Sequence, residues 1–304
     1  MNLFLHFTQN CRNQPYFALA ASICLLLFML LLSNLFIMAL LPIFHVSLEE
    51  IQILLSGAVT NLSIKERILI LASQGFAQIF TWGFVGWVMM KCSGFSFANT
   101  QEIAPVLRIL PFGVLLLWLA IPLVQVLTFT PENFHLPKIF SFLENYLKNQ
   151  DDSKSELIQA LLQTKSSIFF LSNLFVLALL PAICEELLFR GFLQQLFCQK
   201  MKPIWAIIWS SFIFSAIHFQ FLGFLPRFLL GMMLGYLFYR SKHLITSIVA
   251  HFAFNSVTIV AMYVVATQKM QIDVEGYAPS VSVIIISILL IMMTLWRVER
   301  LKNP

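Results

Sequence analysis

An all-α polytopic membrane fold is predicted for this chain by three observations: 59% of its 304 residues are hydrophobic, only 11% are charged, and the apolar residues come in blocks of about 20 parted by short polar stretches. A water-soluble helix keeps one face polar, whereas uninterrupted apolar blocks of this length match the hydrocarbon thickness of a bilayer. One membrane domain is expected, with residues 1–166 forming the N-terminal spans and their loops, 167–267 a core, and 268–304 the last span and tail.

Taken in order, the blocks predict about eight transmembrane helices, near 16–44, 67–90, 109–130, 168–193, 203–220, 222–239, 243–267 and 280–296. The opening "MNLFLHFTQNCRNQPYF" lacks a basic start, a short apolar core and a small-residue cleavage site, so no cleaved signal peptide is expected. An even number of spans puts both termini on one side. With the N-terminus inside, ten basic residues fall on inner segments and seven on outer ones, leaving Arg190 and Arg227 within spans. That bias assigns both termini to the cytoplasm. The net charge of +5 then reflects orientation and anionic lipid headgroups, and nothing points to a nucleic-acid surface.

Two outer loops carry capping-box patterns, Ser47 with Glu50 and Ser153 with Glu156. Both fit amphipathic helices on the membrane face, serving either as solvated connectors or as a rim over a substrate site. The five cysteines, at 11, 24, 92, 184 and 198, show no C-x-x-C spacing, so neither a disulfide framework nor a zinc knuckle is expected. Cys184 reads as a small buried residue. Arg227 is expected to reach the outer headgroups, and "GMMLG", residues 231–235, to form a small-residue packing face.

The stretch "LLPAICEELLFRGFLQQ", residues 179–195, sets charge where lipid is expected. Successive helical residues are about 100° apart, so Glu185 and Glu186 face different ways, while Glu186 and Arg190, four apart, share a face and can pair. That pairing lets the helix carry both charges. Glu185 is left without an obvious partner, and an ionisable group inside a membrane span is a functional candidate by default.

Two further spans bring polar residues of matching kind. His218 follows Phe214 by one turn in "FIFSAIHFQF", and His251 and Asn255 share a face in "IVAHFAFNSV". Counted from the hairpin near Met201 and Lys202, Glu185 and His218 lie at equal distance, facing each other across an antiparallel pair. His251, nine residues past Lys242, lies about 14 Å in, at the same depth. A lone intramembrane histidine usually closes an interhelical hydrogen bond. Three spans delivering Glu185, His218, His251 and Asn255 to one layer point instead to a site between the fourth, fifth and seventh spans.

The pattern "EELLFR", then "FSAIH" about thirty residues on, then "HFAFN" resembles the E-E-x-x-x-R, F-x-x-x-H and H-x-x-x-N/B motifs of the CPBP family, the CaaX-protease and bacteriocin-processing intramembrane proteases also called Abi proteins. The resemblance covers roughly residues 170–260. It implies an intramembrane endopeptidase acting on membrane-associated protein or peptide substrates, with Glu185 as the general base, His218 orienting or coordinating the water, and His251 with Asn255 stabilising the oxyanion. Glu186 and Arg190 would be structural supports. The same resemblance leaves the cofactor open between none and a divalent metal such as zinc; the ligands would then be Glu185, His218 and His251. The contrasting class is a non-proteolytic membrane binding or immunity protein, or an ion-coupled transporter, using the same buried groups. No inverted repeat or paired broken helix favours a transporter. A bacterial plasma membrane is the expected location, with the endoplasmic reticulum as the alternative.

Overall fold

The helices follow the apolar blocks because the backbone inside a bilayer must satisfy its own hydrogen bonds. The computed structural model describes residues 2–46, 62–98, 103–129, 139, 141–220, 223–268 and 279–301. Among them the helices are α1 (Asn2–Asn13), α2 (Pro15–Ile43), α3 (Ile64–Cys92), α4 (Ala104–Leu119), α5 (Ile121–Phe129), α6 (Ser141–Leu162), α7 (Ser167–Cys198), α8 (Pro203–Ala216), α9 (Phe224–Ser241), α10 (Leu244–Gln268) and α11 (Val281–Arg300), with no strand. Among the described residues six spans are long and apolar enough to cross a membrane: α2, α3, α4 with α5, α7, α10 and α11. The chain is therefore all-helical, and α8 and α9 complete the eight expected positions. α8 is apolar but only 14 residues long, and α9 carries Arg227 and Arg240 in its 18 residues.

Helix ends depart from expectation in three places, each for a local reason. The third span is two helices that meet at Ala120, because Pro122 has no N–H to continue the ladder. The fifth span ends at Ala216 rather than 220: the chain turns through His218 and Phe219, the latter at φ 51°, and Ser215 Oγ donates to Phe224 O at 2.5 Å to tie the turn to α9. Ser153 and Glu156 lie inside α6, and the Ser153 hydroxyl donates to Asn149 O one turn back. The predicted cap there is wrong: α6 already begins at Ser141 and runs on through "DDSKSE", so the Ser153 hydroxyl bonds back to a helix carbonyl instead of capping free amides. Ser47 and Glu50 lie outside the described residues. A capping box does open α3, where Ser63 Oγ accepts from the Glu66 amide and Glu66 Oε2 accepts from the Ser63 amide.

Close packing in a bilayer relies on small residues, because lipid offers no hydrophobic drive for helices to associate. Gly83 and Gly86 let α3 touch α7: a Cβ at Gly83 would sit 2.8 Å from Cys184 Sγ, and one at Gly86 only 2.6 Å from Leu188 N. Around this contact Met89, Met90, Phe189 and Phe192 are fully buried. The "GMMLG" face packs α9 against α8 and α7, with Ser211 Cβ 3.0 Å from a Cβ built on Gly231 and Gln194 Oε1 2.8 Å from one built on Gly235. Both glycine carbonyls are used. Arg190 Nη2 donates to Gly231 O at 2.8 Å and Gln194 Nε2 to Gly235 O at 3.0 Å, one turn apart on each helix.

Candidate active site

α7 supplies the carboxylates, and its backbone is not uniform there. Residues 187–194 form a π-helical stretch directly after Glu186, and α3 has another at 78–84. Such widened turns recur at functional sites because they re-aim side chains that a regular helix would stack.

The Glu186–Arg190 pair forms as the i, i+4 spacing requires, with Arg190 Nη1 2.7 Å from Glu186 Oε1 and both side chains almost wholly buried. The Arg190 guanidinium also lies over the Phe214 ring at 4.9 Å. The same Glu186 oxygen is 3.1 Å from His251 Nδ1. Because a carboxylate accepts, Nδ1 carries the proton and donates. Glu186 is thus more than a partner for Arg190: it fixes the tautomer and the ring orientation of His251.

The far nitrogen of that ring, Nε2, stands 4.0 Å from Glu185 Oε2. One imidazole therefore spans two neighbouring carboxylates, which their 100° separation on the helix makes possible. Glu185 has a partner the sequence reading missed: Gln78 Nε2, from α3, donates to Glu185 Oε1 at 3.3 Å. Its sequence signal is weak, because Gln74, one turn earlier in the same largely apolar run, is a second amide of the same kind.

His218 lies in the turn after α8, half-buried, with Nδ1 donating to Phe214 O at 2.7 Å. Its Nε2 is thereby left for other partners. The Phe214 ring packs edge-on to both His218 and His251, at 5.2 and 6.2 Å between centroids, so both imidazoles rest against one aromatic side chain.

A cavity of about 360 Å³ is lined by Glu185, His218, His251 and Asn255 together. Leu117, Leu177, Leu230, Leu234 and Ile259 make its apolar wall, and Ile158 and Leu162 bring α6 to its edge. α6 is held there by Arg67, which donates to the carbonyls of Ala160, Leu161 and Gln163 at the helix C-terminus. Lys154 Nζ donates to His218 O at 3.3 Å. α6 therefore lies against the cavity as well as joining two spans. Arg227 also lines the cavity, its guanidinium folded over Gly223 at the start of α9.

Such a site can hold a water between a carboxylate and two imidazoles in apolar surroundings, and can present an amide donor, Asn255, one turn from His251. Among the described residues no three His, Cys, Asp or Glu side chains converge as a group able to hold a metal ion. The ligand set Glu185, His218 and His251 thus does not fit a metal as it stands.

Residues 167–257 match the model of a family described as type II CAAX prenyl endopeptidase, Rce1-like. Neither the curated proteins nor the solved structures gave a match.

Proposed function

We propose that this chain, which carries an Rce1-like endopeptidase domain over residues 167–257, is an intramembrane peptidase that hydrolyses peptide bonds of membrane-associated protein or peptide substrates by a glutamate-activated water. The observation that carries this reading is the shared lining of one cavity by Glu185, His218, His251 and Asn255. Glu185 is the general base that takes a proton from water. Its Oε2 faces the His251 ring, and a carboxylate in apolar surroundings has little competition from bulk solvent for that proton.

His218, its Nδ1 committed to the Phe214 carbonyl, offers Nε2 to orient the attacking water. His251 and Asn255 then stabilise the oxyanion of the tetrahedral intermediate. With Nδ1 held by Glu186, His251 acts only through Nε2, accepting when neutral and donating as imidazolium. Glu186 and Arg190 hold that ring and the seam between α7 and α9. Peptide hydrolysis consumes one water and leaves a new carboxylate and a new amine, so the proton taken by Glu185 returns to the leaving nitrogen. We place both termini on the cytoplasmic side on the strength of the basic-residue bias, in what we take to be a bacterial plasma membrane.

The test compares wild type with Glu185→Gln in a host lacking relatives of this chain, reading new peptide termini across the membrane proteome. Termini that appear with wild type alone are the expected result. Identical profiles from equally abundant, folded proteins would overturn the peptidase reading in favour of binding or transport.

A further inference from the structure

Gln78 is buried, 6% exposed, and lies on α3, well outside the residues that match the family model. An interhelical amide contact in a membrane is usually modest glue. Three observations set this one apart. Its partner is the carboxylate that lines the cavity. The approach that makes the contact is built into α3 by Gly83 and Gly86, which allow backbone-to-backbone packing on α7 beside Glu185. The π-helical stretch of α3 begins at Gln78 itself, so the widened turn and the contact coincide.

The two oxygens of Glu185 are consequently not equivalent. Oε1 receives the Gln78 amide at 3.3 Å, while Oε2 is turned toward His251 Nε2. We infer, on the premise of the peptidase reading above, that Gln78 is a positioning residue: it pins Oε1 of Glu185 and so selects Oε2 as the oxygen that takes the proton from water. A primary amide suits this task because it serves both protonation states of its partner. Its N–H₂ donates to the carboxylate, and its carbonyl, Oε1, is buried without a partner and can accept from the neutral acid after rotation. Methionine, of similar length, can do neither.

The experiment has one readout that needs no substrate and one that does. In purified full-length protein in lipid nanodiscs, the infrared difference between wild type and Glu185→Gln isolates the carboxyl band of Glu185. Gln78→Met and Gln78→Asn, which shortens the amide by one methylene, are expected to shift that band, while Ser33→Ala, which breaks the Ser33–Thr81 hydroxyl contact nearby, leaves it in place. On a peptide that wild type cleaves, both Gln78 variants lower kcat about ten- to a hundredfold with KM within twofold, and Gln78→Met adds nothing to the loss already caused by Glu185→Gln. An unmoved band in either folded variant overturns the inference, as does a loss of folded protein with unchanged kcat in what remains. If wild type cleaves nothing, the peptidase reading falls while the shifted band still reports the Gln78–Glu185 contact.

Discussion

His251 Nδ1 and Glu186 Oε1 stand 3.1 Å apart, on an oxygen that also receives Arg190 Nη1 at 2.7 Å. Two donors on one buried oxygen make Glu186 the joint between α7 and α10. Replacing it by glutamine keeps the shape but leaves Arg190 as a buried cation without its hydrogen-bonded counter-charge. Breaking a buried ion pair by removing one partner costs about 3–5 kcal/mol. Glu186→Gln is therefore expected to lower the thermal midpoint of the purified protein and to reduce cleavage although Glu185 is untouched; an unchanged midpoint would refute the joint.

His218 offers the opposite combination. It sits in a turn, half-buried, and among the described residues the one hydrogen bond its ring makes is to its own preceding helix, at Phe214 O. Among the described residues the ring otherwise packs edge-on against Phe214 of that same helix. His218→Ala should reduce cleavage by about a hundredfold or more, the usual contribution of a positioned proton-handling group, while the thermal midpoint stays within a degree or two of wild type. A large stability loss would mean that the ring is structural.

The eight helical positions were legible because lipid imposes continuous apolar blocks, as α2 illustrates with buried Ala18, Ser22 and Ser33 as its few inward points. The Glu186–Arg190 pair was legible because it is local. What escaped depends on contacts between distant parts of the chain. Gln78 and Glu185 are 107 residues apart, and their approach rests on glycines whose role emerges only once α3 lies on α7. The Glu186–His251 contact needs the orientation of α10 and the widened turn of α7, for neither of which a sequence signature exists. The early end of α8 rests on Phe219 at φ 51°, a conformation that a phenylalanine does not advertise.

Gly86 tests the helix contact that supports the site. A Cβ there would lie 2.6 Å from Leu188 N and 2.8 Å from Leu188 Cα, backbone atoms that cannot turn aside. At Gly83 the nearest obstacle is the Cys184 thiol at 2.8 Å, a side-chain atom. Gly86→Ala should thus be the more damaging, by about 1–3 kcal/mol of overpacking or more, with Gly83→Ala milder and relieved by Cys184→Ala. Equal thermal midpoints for the two glycine variants would show that α3 and α7 are not in this register.

Arg67 holds the end of α6. Its guanidinium donates to Leu161 O at 2.7 Å, Ala160 O at 2.8 Å and Gln163 O at 3.2 Å, and Asn173 Nδ2 adds a second donor to Leu161 O at 3.0 Å. These are the carbonyls that a helix C-terminus leaves unsatisfied, and a cation there also meets the negative end of the helix dipole. Arg67→Ala removes three acceptor contacts at once and leaves α6 tethered by Asn173 and by Lys154 on His218 O. The last turn of α6 should then fray. Amide hydrogen exchange over residues 157–163 is expected to speed up at least about tenfold, the consequence of losing about 1.4 kcal/mol of local stability, while exchange in α7 around Glu185 is unchanged. Because Ile158 and Leu162 line the cavity, the same variant should alter which peptides are cleaved more than how fast the best one is. Unchanged exchange in α6 would show that the helix is held over the cavity by something other than this arginine.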